Sequence, residues 1–327
     1  MYNFKIIDYK SVSWEEVESF GNTNIFQTKS WINFIAQTQN GEPIIIEIKD
    51  DGNLAGYFSG LIIKKLGFKI LGSPLRGWTT SYMGFILKNK SSGIEILKDF
   101  VPFVFHKLKC IHFEIMDKNI TIEGCKEHSL KYELFSSFEV DLSGSVEENF
   151  YKLSKNCRRD IRRAERNGVI VKTSNDKDFV LDYYDQLKDV FKKQSLNPTY
   201  SAKRIESLIQ SFYSGDNLFL FKAFNDKHQC IATGIFPSYN GKMFFFGGAS
   251  YRKFQNLLPN EALIWHAMKH GIENNIHTFD MGGGGHYKRK YGGKIITVPW
   301  IRTSQYEIFS ELRDLAKKLY KIKQKLF

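Results

Sequence analysis

The order of strand and helix signals repeats along this chain, and that repeat constrains the fold more than any other feature. Residues 44–117 read strand, strand, strand, helix, strand, and residues 218–281 read the same. In the first run, the β-branched segment 43–48 is followed by the turn Asp50-Asp51-Gly52-Asn53 and a second apolar segment over 54–63, which is a hairpin signal. A third strand region lies within 68–87, residues 92–109 have helical periodicity interrupted by Pro102, and 111–116 is a strand. In the second run, strands are predicted over 218–224, 229–238 and 242–249. A helix over 260–274 opens after Pro259, and a strand follows over 277–281. Antiparallel strands followed by a helix and a parallel return strand define an α/β layer fold with mixed sheets. The repeat therefore predicts two tandem units, 1–143 and 144–327, and 327 residues suffice for two domains.

Elsewhere, short helices are expected over 14–20 and 30–38 and a strand over 133–142. Ser145 and Glu148 have capping-box spacing, and Phe150, Leu153, Cys157, Ile161 and Ala164 form one apolar stripe, so a continuous helix is predicted up to Gly168. A strand over 169–173, helices over 176–194 and 201–212, a last strand over 295–302 and a terminal helix over 307–326 complete the reading.

Charge separates the halves. Residues 1–143 hold 16 Lys+Arg against 17 Asp+Glu, whereas 144–327 hold 31 against 18. The second half is thus the side expected to meet anions: nucleic acid, a phosphate-bearing small molecule or an anionic membrane face. Cys110, Cys125, Cys157 and Cys230 share no CxxC spacing and are expected to be reduced structural thiols in a cytoplasm. No stretch reaches 18 apolar residues, and the start of the chain lacks a secretion-signal pattern. No metal is expected: His266 and His270 lie four apart on a predicted helix, but no third ligand accompanies them.

Three motifs carry chemistry. The segment 152–167 sets Lys152, Lys155, Arg158, Arg159, Arg162, Arg163 and Arg166 opposite the apolar stripe. Like charges four residues apart repel, and Arg matches phosphate with a planar fork, so Arg158, Arg159 and Arg162 are candidate donor-binding residues. The second motif ends a strand at Phe279-Asp280-Met281 and continues as Gly282-Gly283-Gly284-Gly285-His286-Tyr287-Lys288-Arg289-Lys290-Tyr291-Gly292. Glycines let backbone N–H groups approach an anion closely, which makes Gly282 and Gly283 candidates. In the third, Arg252 and Lys253 precede the helix that opens near Pro259, and a helix N-terminus attracts anions. The terminal helix, with Lys317, Lys318, Lys321, Lys323 and Lys325, adds an expectation of peripheral contact with an anionic membrane face.

In this order, the motifs resemble the Fem family of peptidoglycan interpeptide-bridge transferases and the related BioF2-like acyltransferases, both within the GNAT-like superfamily. The likeness begins at Phe26-Gln27-Thr28-Lys29-Ser30-Trp31 and takes in Pro74-Leu75-Arg76-Gly77 through Tyr82-Met83-Gly84. It continues through Arg158 to Val169 and closes at Tyr287-Lys288-Arg289-Lys290-Tyr291-Gly292. The resemblance implies two tandem GNAT-like units and transfer of an acyl or aminoacyl group to an amine. The donor it implies is aminoacyl-tRNA, and the acceptor a phosphate-bearing peptidoglycan-type precursor held between the units. It implies that Lys288 stabilises negative charge at the reacting carbonyl or on the donor phosphate, and it adds Trp31 and Arg76 as substrate-binding candidates. No cofactor stays bound in such a reaction; the donor is a co-substrate.

Two family features are missing: a long charged insertion in the second unit, and a basic residue just after Trp31. An acyl-CoA donor therefore stays open, with the 252–260 loop on the pyrophosphate and an amino sugar of a surface polysaccharide as acceptor. A non-catalytic RNA-binding module is the reading from another class. Acyl transfer to an amine needs a base and stabilisation of an oxyanion. Asp280 is the first candidate base and His286 the second, Lys288 and the glycine amides serve the oxyanion, and Tyr287 protonates the leaving group.

Overall fold

The computed structural model describes residues 1–88, 93–175, 177–192, 195–212, 217–283 and 285–306. The helix expected over 307–326, and Gly284, lie outside them. The chain forms two compact units. One takes Met1–Phe135 and is rejoined by the chain from Thr297; the other takes Ser136–Ile296. The cut at Phe135/Ser136 falls inside a strand, ahead of the expected 143/144 boundary, and the residues from Thr297 belong to the first unit because the last strand returns to pair there.

The first unit is built from β1 (Tyr2–Ile7), α1 (Trp14–Ser19), α2 (Lys29–Gln39), β2 (Glu42–Asp50), β3 (Asn53–Lys65), β4 (Phe68–Ser73), β5 (Gly84–Leu87), α3 (Gly93–His106), β6 (Cys110–Met116) and α4 (Ile122–Glu127). β7 (Tyr132–Asp141) starts here and runs on into the second unit. β2 pairs antiparallel with β3, β3 antiparallel with β4, and β4 parallel with β6. The parallel pair needs a crossover, and α3 supplies it. Its Phe100 is fully buried, with ring centroids 4.5 Å from Phe58, 5.5 Å from Phe85 and 5.6 Å from Phe113. β1 and α4 add to the expected elements, and the strand region over 68–87, expected to break at Gly72-Ser73-Pro74 and Gly77, is the two strands β4 and β5.

The second unit continues with α5 (Val146–Lys152), α6 (Lys155–Arg166), β8 (Ile170–Thr173), α7 (Phe179–Lys192), α8 (Ala202–Ser211), β9 (Leu218–Phe224), β10 (Cys230–Tyr239), β11 (Lys242–Phe244), β12 (Gly247–Ser250), α9 (Pro259–Glu273) and β13 (Thr278–Gly283). β14 (Lys294–Ser304) leads back, and its residues 300–304 pair antiparallel with β6. β9 pairs antiparallel with β10, β10 antiparallel with β11, and β11 parallel with β13. This is the pairing scheme of the first unit again, with α9 as the crossover, so the repeat in the sequence is a repeat in topology. The helix expected as continuous up to Gly168 is two helices. The backbone leaves helical geometry at Leu153, and the Ser154 hydroxyl caps α6 by accepting from Cys157 N at 3.2 Å.

Candidate functional site

The site forms where one strand of the second unit divides. β11 lies beside β13 up to the pair Phe244↔Asp280, and Phe245 N still donates to Asp280 O at 2.8 Å. Phe246 N instead donates to Ile235 O of β10 at 3.1 Å, and β12 then follows β10 alone. β13 meanwhile turns away through Gly282, whose φ of 72° lies in the left-handed region that glycine adopts without strain. β12 and β13 thus splay, and the gap is a cleft of about 270 Å³. Phe245, Ser250 and Met281 line it from the strands, Asn260 and Glu261 from the first turn of α9, and Tyr287, Lys290 and Tyr291 from a 3₁₀ turn over His286–Tyr291.

Asp280 and Lys288 brace the glycine run from beneath. Asp280 is 2% exposed, and its Oδ1 accepts from the Ser137 hydroxyl and from Gly282 N at 2.8 Å. Lys288 is also buried, and its Nζ donates to Met281 O at 2.6 Å, Gly282 O at 3.3 Å and Gly283 O at 2.8 Å. An ammonium has three protons to donate, so all three have backbone acceptors here. Loss of hydration lowers the Lys288 pKa, and the Asp280 carboxylate opposes that shift. His286 and Tyr287 are both exposed, and only Tyr287 lines the cleft. Burial of the Tyr287 hydroxyl, together with Glu261, raises its pKa. Of the four residues expected to be catalytic, then, Tyr287 lines the cleft, Asp280 and Lys288 shape its wall, and His286 stands outside.

The basic helix meets this site at its start: Ser154 N, the cap of α6, donates to Lys290 O at 2.9 Å. Lys155, Asn156, Arg158, Arg159, Arg162 and Arg166 line a recess of about 410 Å³ along α6. Arg158 is anchored by donating to Tyr151 O at 2.9 Å and to Leu153 O, and the Arg162 guanidinium lies 5.2 Å from the Phe150 ring centre. Arg159 points outward, 3.6 Å from Asp160.

Other candidates fall elsewhere. Arg252 and Lys253 are exposed and do not line the cleft; the Arg252 amide donates to Asp189 Oδ2 at 2.7 Å, and the Lys253 ammonium sits 4.9 Å from the Phe254 ring centre. Trp31 is a core residue of the first unit, with no exposure, its Nε1 donating to Thr80 Oγ1 at 3.1 Å and its ring edge-on to Phe26. Arg76 is half exposed, ion-paired with Glu133 and 5.2 Å from the Trp300 ring centre. Burial pushes the thiols of Cys157 and Cys230 up to about 12, and those of Cys110 and Cys125 up to about 11, so none is a ready nucleophile. His266 and His270 pack edge-on to Phe221 and Phe219, and burial pushes His266 down to about 4.

Sequence reasoning missed Glu261, Lys290 and Tyr291 as cleft residues. Lys290 and Tyr291 stood inside a motif already singled out. Glu261 carried a weaker signal, as an acid in the first turn after Pro259.

Residues 152–289 match the family described as "Acetyltransferase (GNAT) domain". Among solved structures, FemX is similar at 14% identity with a TM-score of 0.72, over 91% of this chain and 97% of that one. L-PGS from Bacillus licheniformis is similar at 12% identity and 0.55, over 88% and 91%. The C-terminal domain of a putative lysylphosphatidylglycerol synthetase from Agrobacterium fabrum is similar at 10% and 0.55, over 86% and 90%. No curated protein matches the sequence. The matched domain, on a mixed α/β fold of GNAT type, defines the class: this chain is an acyltransferase of the GNAT type. Among the described residues no helix is long and apolar enough to cross a membrane, and no cluster of His, Cys, Asp or Glu is arranged to hold a metal ion.

Proposed function

We propose that the chain transfers an aminoacyl group from aminoacyl-tRNA to an amine of a cell-envelope precursor of the peptidoglycan type, in the cytoplasm. One observation carries this reading: a row of arginines on α6 starts at the wall of a cleft too small for a whole donor. Ligand-enclosing pockets usually exceed about 300 Å³. A donor whose reactive end enters the cleft while a long phosphate chain stays outside fits that pairing. The likeness to FemX across both units, and to lysylphosphatidylglycerol synthetases, supports the same reading.

In this reading a neutral amine attacks the ester carbonyl of the donor. A C–N bond forms and the C–O bond to the ribose breaks. Backbone N–H groups of the glycine run stabilise the oxyanion, while Asp280 and Lys288 hold that run in place. Tyr287 gives a proton to the departing ribose oxygen, and the proton lost by the amine passes to solvent. Precise placement of both substrates supplies part of the rate.

The test is product formation. Purified protein is incubated with charged tRNA or acetyl-CoA and a UDP-linked muropeptide, and products are weighed by mass spectrometry. A muropeptide heavier by one aminoacyl residue, formed only with charged tRNA, is the expected result. The second reading is an acyl-CoA N-acyltransferase acting on an amino sugar; it is favoured by the N-terminus of α9 opening on the cleft, and an acetylated amino sugar formed only with acetyl-CoA would establish it instead.

A further inference from the structure

The N-terminus of α9 already carries an anion of its own. Leu258 enters the helix with φ 61°, Pro259 occupies the first helical position and has no N–H to offer, and Glu261 follows in the first turn. A carboxylate there complements the positive end of the helix dipole, the feature that otherwise draws a phosphate. Glu261 is also the only carboxylate lining the cleft among the described residues, and its side chain is 16% exposed. Lys290 Nζ reaches its Oε1 at 2.5 Å and so is occupied by Glu261 rather than left for a ligand anion. Arg252 and Lys253, which precede this helix, do not line the cleft.

We propose that Glu261 sets donor specificity: its carboxylate receives the α-ammonium of a donor aminoacyl group and, by holding Lys290 at the helix end, keeps a CoA pyrophosphate out. The ammonium arm rests on the aminoacyl reading above; the exclusion arm does not. An aminoacyl ester carries a positive charge beside the reacting carbonyl, whereas an acetyl or longer fatty-acyl thioester carries none there. A partly buried carboxylate in the acyl end of the cleft discriminates between the two by a charge-assisted hydrogen bond. Glu261 acts on which donor binds and takes no part in proton transfer.

Two stable probes separate the arms: 3′-deoxy-3′-(alanylamino)adenosine, with a free ammonium, and its N-acetyl counterpart. Their affinities are measured by calorimetry beside that of CoA, for wild type, E261Q and K290M. The wild type is expected to prefer the ammonium probe by about tenfold, as a hydrogen bond between charged groups is worth. E261Q is expected to lose that preference and to bind CoA at least about tenfold more tightly, because Lys290 is released. K290M, which leaves the carboxylate without its partner, is expected to widen the preference, and a melting curve on each variant verifies folding. Failure of both adenosine probes to bind wild type would overturn the aminoacyl reading and the ammonium arm with it. An intact preference in folded E261Q would overturn the assignment of ammonium recognition to Glu261, and unchanged CoA affinity in E261Q would overturn the exclusion arm.

Discussion

Lys288 shows how far one side chain can depart from the role its neighbours in sequence imply. The motif around it reads as a phosphate or oxyanion site, yet all three of its protons have carbonyl acceptors in Met281, Gly282 and Gly283. It is thus argued to be a positioning residue. Lys288→Met is expected to lower kcat by about 100-fold, the scale of misplaced reacting groups, with little change in KM for the donor. Amide hydrogen exchange at Gly282 and Gly283 should quicken in the same variant; unchanged exchange with lost activity would mean direct contact with substrate instead. Spacing revealed that Lys288 belongs to the site, but not what it binds, because its acceptors become neighbours only when β13 turns back on itself. Asp117 was not visible at all. It is buried, accepts from Phe85 N at 2.6 Å and Asn119 N at 2.7 Å, and loss of hydration raises its pKa from 3.8 to about 7. A raised carboxyl pKa favours folding while the group is protonated. Its contribution is therefore full below pH 3.8 and is lost as pH rises through about 7. Carbon-13 titration of the Asp117 carboxyl should show a midpoint near 7, and a midpoint near 4 would contradict the burial argument.

Two breaks in regular structure build the site at the scale of elements. The apolar stripe from Phe150 to Ala164 keeps its three- and four-residue spacing across Leu153 and Ser154, so periodicity alone showed one helix. The interruption rests on a cap, and it places the start of α6 against Lys290. The segment 242–249 likewise has uniform strand character, but Phe245 bonds to one neighbour and Phe246 to another. Which partner each amide finds is a tertiary outcome that strand propensity does not encode. The basic face of α6, by contrast, was legible, since helical spacing alone puts Arg158, Arg159 and Arg162 side by side. Replacing Arg159 and Arg162 together by Glu should weaken tRNA binding and reduce the slope of log affinity against log salt by about two. Melting temperature should hardly move, because neither arginine is part of the core. An unchanged slope would remove α6 from the donor path.

Across the whole chain, the repeat gave the topology in advance because hydrophobic order is a local property: three strands, a crossover helix and a return strand read alike in both halves. The destination of the last strand was not readable, since pairing of residues 300–304 with β6 is a long-range choice. Each unit has its own core. Phe100 in the first and Phe221 in the second are fully buried, and truncation of either to Ala should cost about 3–5 kcal/mol in chemical denaturation. A loss below about 1 kcal/mol at either position would argue against the packing described. Charge divides as well, with the excess of Lys and Arg in the second half, where the acetyltransferase domain lies. In the proposed function the basic half receives the polyanionic donor and the near-neutral half serves the acceptor.

Donor identity is the central claim, and direct binding tests it. The melting temperature of the purified protein is followed during titration with aminoacyl-tRNA, uncharged tRNA, acetyl-CoA and CoA, since a ligand that binds only the folded state raises it. The expected result is a rise with aminoacyl-tRNA that exceeds the rise with uncharged tRNA, and no shift with either CoA species. A rise with CoA or acetyl-CoA and none with tRNA would contradict the account.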